Sequence, residues 1–238
     1  MIKTKEDLQR YLKEDMMAYD NSLKAKIKNV VLKEDDYYVK KYLKILRKTE
    51  YFKNNSDCLF NKVLYQWYYY KWFKISRKTG LYIRPNSAGP GLTLYHTCGT
   101  RTGAVPETRI GSHVIIRPGV IIGYRGDTMR GEKTAPVIDD YVEFSWGVKV
   151  FGKIKVGRGA LLNANCVVMG NVPPYAIVVG NPAKVVGFTM TPKEIVDFET
   201  TRYPVAERYS LEDLQSNYRK FFLDKIKDIK SHLKNNQF

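Results

Sequence analysis

Few side chains in this chain can do acid–base, nucleophilic or metal chemistry, and their spacing narrows the choice. Three histidines occur: His96, His113 and His232. A catalytic zinc asks for three protein ligands. Only His96 and His113 fall in the repeat region described below, so a metal-dependent hydratase is set aside and no metal is expected. Cys98 lies two residues from His96, close enough for an imidazole to activate a thiol, but no third group that would orient such a pair is visible. Cys98 reads better as a small inward-facing residue. The three cysteines, Cys58, Cys98 and Cys166, are sparse and lack metal-type spacing, as in a reduced intracellular protein. His96 remains, as a proton-moving group suited to neutral pH or as a hydrogen-bonded histidine of the framework.

The framework is legible in a strict period of six. Ile138, Phe144, Val150, Val156, Leu162 and Val168 follow at six-residue steps, and Ile110, Ile116 and Ile122 keep the same beat. A second small or apolar series stands four places behind: Val114, Val120, Val142, Val148, Ile154, Ala160 and Cys166. Neither a helical period of 3.6 nor a strand period of 2 gives this pattern. A hexapeptide solenoid does, with each short strand and turn forming one flat side and stacked coils burying one another's inward residues. The beat slips between Leu94 and Ile110 and again between Ile122 and Ile138, where a solenoid extrudes loops. The second interruption, Tyr124 to Pro136, is polar and charged and reads as a flap over a site.

The flanks are helical. Thr4 with Asp7 three places on is a cap signal for a first helix, and Tyr38, Val39, Tyr42, Leu43 and Leu46 form a second apolar stripe. Lys24, Lys26, Lys28, Lys40, Lys41, Lys44, Arg47 and Lys48 read as a solvated helix face. Between Leu59 and Ile75, Trp67, Tyr68, Tyr69, Tyr70, Trp72 and Phe73 interleave with Lys62, Lys71 and Lys74. Such a helix either packs against the solenoid or a neighbouring subunit, or lies in a membrane interface. Residues 191–238 return to a helix, with Pro192 in its first turn. The expected division is a helical domain at 1–80, a solenoid at 81–188 and a C-terminal helical extension at 189–238.

The chain has 238 residues, enough for a sizeable core, and a net charge of +16 from 40 basic and 24 acidic residues. That excess asks for an anionic partner: nucleic acid, a phosphate-rich cofactor or a bilayer. A basic scaffold without catalytic activity is the reading of another class. No run approaches the roughly eighteen apolar residues of a membrane span, and the start lacks a signal-peptide pattern. The expectation is a cytoplasmic protein able to sit peripherally on the inner membrane face.

Ala88-Gly89-Pro90-Gly91-Leu92-Thr93-Leu94-Tyr95-His96, the hexads, Asn171-Val172-Pro173-Pro174 and Gly180-Asn181-Pro182-Ala183-Lys184 together resemble the hexapeptide-repeat acyltransferases. The branch is that of serine acetyltransferase and its sugar O-acetyltransferase relatives. The resemblance covers about residues 82–188. It implies a mainly β fold with a left-handed parallel β-helix, a homotrimer with sites between subunits, and acetyl-CoA as co-substrate. It also implies that His96 is the general base. Asp127 or Glu132, on the flap, is then the group that orients the imidazole or the acceptor. The pantetheine arm would run along Ser145, Trp146 and Gly147, then Asn163, Ala164 and Asn165, with Lys184 near the CoA phosphates and Arg158 and Lys153 as lesser candidates. Two departures stand out. Tyr95 occupies the place of an acidic residue that precedes the histidine in the serine enzymes, and Glu132-Lys133-Thr134-Ala135-Pro136 replaces their Asp-Arg-His-Pro stretch. Both remove groups that grip a small amino acid. The expected acceptor is therefore a sugar hydroxyl in surface-polysaccharide synthesis, with serine as the alternative and nucleic acid not called for.

Overall fold

In the computed structural model, residues 1–97, 99–102, 108–127 and 132–235 are described. Four helices come first: α1 (Lys5–Met16), α2 (Leu23–Leu32), α3 (Asp35–Asn54) and α4 (Leu59–Thr79). The Thr4 hydroxyl accepts the Asp7 N–H at 3.0 Å while the Asp7 carboxylate accepts the Thr4 N–H at 3.1 Å, closing the capping box over α1. Helix α4 stops at Gly80, whose φ of 71° supplies a left-handed cap that a side chain would strain. Helices α3 and α4 lie side by side and bury Tyr42, Leu43 and Leu46 against Trp72 and Ile75.

The strands that follow are two to five residues long, too short to stand alone, and each coil is held by those above and below it. One face stacks β1 (Thr93–Leu94), β4 (Ile115–Ile116), β9 (Glu143–Phe144), β12 (Leu161–Leu162) and β14 (Ala176–Val179) in parallel. A second stacks β2 (Arg101–Thr102), β5 (Ile121–Gly123), β10 (Lys149–Phe151) and β13 (Val167–Val168). A third stacks β3 (Arg109–Ile110), β8 (Val137–Ile138) and β11 (Lys155–Val156). This is the left-handed parallel β-helix, and both six-residue series point into it: all nine leading residues and all seven followers are buried. Burying each such aliphatic side chain is worth about 1.5–3 kcal/mol. β15 (Lys184–Phe188) turns back antiparallel on β14 and closes that sheet.

Coil lengths show where the beat slips. An uninterrupted coil takes eighteen residues, from Glu143 to its partner Leu161. From Ile115 to Glu143 the step is twenty-eight, because β6 (Arg125–Asp127) and β7 (Glu132–Thr134) are extruded as a hairpin after β5. The first coil is also long. Leu94 to Arg101 spans seven residues where Ile116 to Ile121 spans five, although both pairs are in register. Two extra residues therefore push the chain outward at the corner between the first and second faces.

The helical segment is locked onto that first coil. The Tyr19 hydroxyl donates to the Leu94 carbonyl at 2.8 Å and accepts the Leu94 N–H at 3.0 Å. Arg47 is fully buried, bonded to Asp15 at 2.7 Å, to Glu50 at 3.0 Å and to the carbonyls of Ala88 and Gly89. Asp15 also accepts the Leu92 N–H at 2.9 Å. The solvated-face reading thus fails for Arg47: its fork geometry lets one side chain satisfy two carboxylates and two carbonyls inside the seam. Desolvation pushes the Glu50 carboxyl upward, with Arg47 pulling the other way.

At the other end the expected single helix is two, α5 (Pro192–Thr200) and α6 (Leu211–Asn235). They are separated because residues 201–210 dock on the solenoid: Tyr203 donates to Asp140 and Tyr209 to Asp139. Arg158, a lesser cofactor candidate, is buried here against Glu199 at 2.9 Å, so its charge is consumed structurally.

Candidate active site

The outward loop carries His96. Its φ of 61° lies in the left-handed region, as do those of His113, Tyr141, Asn165 and Tyr175 further along the chain. The imidazole is half exposed, with Nδ1 3.1 Å from Oδ2 of Asp35. The Thr97 hydroxyl donates to the other oxygen of that carboxylate at 2.6 Å. Asp35 is the first residue of α3, where aligned backbone N–H groups favour negative charge. The Thr97 hydroxyl is the main reason its carboxyl titrates below the usual range; partial burial opposes this and the imidazole supports it. With Nδ1–H donated to a carboxylate, Nε2 is left as the basic nitrogen.

Register places the other candidates in one column. Leu94, Ile116, Phe144, Leu162 and Val178 lie one above another. The residues two further on, His96, Pro118, Trp146, Ala164 and Gly180, therefore share a corner. The Trp146 ring is exposed and its centroid is 5.7 Å from that of His96. Ser145 and Asn163 continue the ladder, donating their N–H groups to Leu162 and Val178 at 2.9 Å each. Asn165 donates its N–H to the Trp146 carbonyl at 2.8 Å. Gly147, at φ 67°, takes a left-handed corner without strain, against the Asn165 side chain. Lys184 is exposed beside Val179 at the top of the column, on β15, five strand spacings or about 24 Å from the first coil that carries His96.

The structure thus lines up His96, Ser145, Trp146, Gly147, Asn163, Ala164 and Asn165 along one corner, with Lys184 at its far end. The flap carboxylates are a different case. Asp127 and Glu132 belong to the β6–β7 hairpin, which leaves the solenoid after β5, one full face away from His96; their side chains lie outside the described residues, as does Cys98. The carboxylate at the imidazole is Asp35, sixty-one residues upstream. The only sequence sign of it is His96-Thr97 itself, two adjacent hydrogen-bonding groups with no acid near them in the repeats. His113 is occupied elsewhere, stacked on Tyr141 at 5.0 Å and 3.5 Å from Glu14. Cys166 points inward and burial raises its thiol to about 11, which makes it inert. Among the described residues no group of three or more His, Cys, Asp or Glu could hold a metal.

Fold and site together define a left-handed hexapeptide-repeat β-helix whose first coil presents an imidazole steadied by a carboxylate from a helical domain. Known proteins of this build resemble it in sequence as well. The chain is 39% identical over 110 residues to the serine acetyltransferase of Mycobacterium tuberculosis, 46% of each chain. It is 36% identical over 135 residues to that of Bacillus licheniformis, covering 55% of this chain and 60% of that one. Soybean serine acetyltransferase, as the apoenzyme, superposes with a TM-score of 0.58 at 26% identity, over 76% of this chain and 69% of the other. The chain spans about half the length of the curated relatives it matches. No family model matches it.

Proposed function

We propose that this protein is an acetyl-CoA-dependent O-acetyltransferase with His96 as general base and Asp35 as the residue that holds it. The observation that carries this is the Asp35–His96 pair at the first coil of the column, with Nδ1 turned to the carboxylate. An acceptor hydroxyl gives its proton to Nε2 as its oxygen attacks the thioester carbonyl, so no charged alkoxide has to form in water. Asp35 stabilises the imidazolium that results. The new C–O bond forms, the C–S bond breaks, and the imidazolium returns its proton to the departing thiolate. The donor fits the column: exposed Trp146, Ala164 and Asn165 leave an open strip of backbone above the imidazole, and Lys184 offers a cation to phosphate at its far end. In this reading the strip faces a neighbouring solenoid in a homotrimer.

The relatives named above are serine acetyltransferases, and they favour serine as the acceptor over the sugar that the two sequence departures point to. One observation keeps a sugar hydroxyl as the second reading. Tyr95, the residue before His96, and Trp146, whose ring lies near the imidazole, both expose ring surface, and flat aromatic faces suit a pyranose better than an ammonium–carboxylate pair. Thiol release from acetyl-CoA with serine and with a panel of sugars separates the two. His96→Ala is expected to lower turnover at least about a hundredfold on the preferred acceptor, the low end for loss of a general base. Full turnover in that variant would overturn the proposal.

A further inference from the structure

The helical domain carries a second feature that the chemistry at His96 does not use. Between α3 and α4 lies a cavity of about 990 Å³. Lys40, Lys41, Lys44 and Lys48 enter it from α3, and Lys71, Lys74 and Lys78 from α4, with no acidic residue in its lining. None of the seven forms an ion pair among the described residues, and several rest on rings instead: Lys71 lies 3.2 Å over Trp67 and Lys78 4.6 Å over Tyr38. Seven clustered ammonium groups repel one another, so the groove favours an occupant that brings negative charge.

Exposed apolar side chains stand on the two helices α2 and α4, each of which contributes to the groove's lining. On α4, Phe60, Val63, Trp67, Tyr70 and Phe73 are exposed, and on α2 so are Leu23, Ile27, Val30 and Val31, of which Val30 lines the cavity. Phe60, Trp67, Lys74 and Lys78 follow at i, i+7, i+14 and i+18, one line along α4, apolar in its first half and cationic in its second. Only Trp72, Ile75, Ser76 and Thr79 of α4 are buried. The aromatic segment therefore divides: Trp72 packs the helices together while Trp67, Tyr70 and Phe73 face outward. Contiguous exposed apolar surface of this kind marks an interaction site.

We propose that this face docks on an anionic phospholipid surface. The groove lysines take headgroup phosphates, and Phe60, Val63, Trp67 and Tyr70 sit at headgroup level, the division of labour of interfacial amphipathic helices. A second copy of the chain fits poorly, since it brings its own lysines to the contact and a further +16 of charge. A nucleic acid would use the lysines and leave the aliphatic residues of α2 and α4 in water. Docking would also fix the reaction centre relative to the bilayer, because the helix whose first turn holds His96 through Asp35 places Tyr38 and Lys41 in the groove.

The test is flotation of the full chain with vesicles of phosphatidylcholine alone or mixed with phosphatidylglycerol; it needs neither acetyl-CoA nor acceptor, so it stands or falls separately from the proposed reaction. Binding is expected only to the mixed vesicles and weakens with salt. Lys74→Gln with Lys78→Gln lowers the partition coefficient about thirtyfold, two charges at about 1 kcal/mol each. Brominated lipid quenches part of the tryptophan emission in the wild type and not in Trp67→Phe. Thermal melts of each variant confirm folding, and Lys44→Gln with Lys48→Gln serves as a second pair if the first unfolds. No binding to anionic vesicles, binding that both lysine pairs leave intact, or a duplex DNA that binds where vesicles do not would each overturn the proposal. So would self-association through this face that Trp67→Ala dissolves, with no vesicle binding.

Discussion

Replacing Asp35 with Asn keeps the shape of the site and inverts its chemistry. The Asn carbonyl can still accept from Thr97, but its amide then offers a donor to Nδ1 of His96, which fixes the proton on Nε2 and removes the basic lone pair from the acceptor. The size of the effect follows from the geometry. Two unit charges about 4 Å apart interact by about 1 kcal/mol in bulk water and about 4 kcal/mol at a surface-type dielectric of 20. The Asp35 side chain is 48% exposed and that of His96 55%, so the lower half of that range applies, about 1–2 kcal/mol for stabilising the imidazolium. That corresponds to roughly a five- to thirtyfold fall in kcat. The assay is thiol release at saturating acetyl-CoA with the acceptor that the wild type prefers. KM for acetyl-CoA should not move, because the column above Trp146 is untouched, and Tm should stay close to wild type because the pair is solvated. Asp35→Glu should recover part of the loss. An Asn variant with wild-type kcat, or with its whole defect in KM, would refute the role given to Asp35.

Two further outcomes follow from the buried and capping charges. Arg47→Met leaves Asp15 and Glu50 unpaired within the seam, and breaking a buried pair in this way costs about 3–5 kcal/mol. A drop in Tm of roughly 6–20 °C in calorimetry is expected for a chain of this size, and a drop of a degree or less would show that the cluster holds nothing together. Asp7 and Glu194 titrate below the usual carboxylate range, chiefly because each accepts backbone N–H groups at a helix start, and Asp35 does so chiefly through Thr97. Depressed carboxyls contribute stability above their unfolded range and lose it as pH falls, so their share is complete above about pH 5 and fades below about pH 4. The Tm gap between wild type and Asp7→Asn should therefore close on acidification; a gap constant from neutral pH to about pH 3 would contradict the assignment.

The solenoid was legible because its cause is local and repeated. Each inward residue faces the same environment as the one six places on, so one buried prism prints a period into the chain, and Ile138 through Val168 show it without interruption. Caps were legible for the same reason: Thr4 with Asp7 and Pro192 at a helix start act within a single turn. The aromatic segment was harder, because composition does not say which rings face inward. Only packing against α3 separates buried Trp72 from exposed Trp67. Arg47 is the sharpest case. In sequence it sits among lysines on a basic helix, and only the opposing Asp15, Glu50 and two coil carbonyls make it a buried clamp.

What the sequence by itself determined, then, is the hexad framework, the helical flanks and the prominence of His96 after Tyr95. The tertiary structure alone decided which acid steadies that histidine. Asp35 reaches His96 across sixty-one residues because Tyr19, Asp15 and Arg47 pin the helical domain to the first coil, and because two extra residues push the corner out to meet α3. Contacts closed by docking one element on another leave no periodicity behind, since neither partner repeats and nothing in the spacing of either records the other.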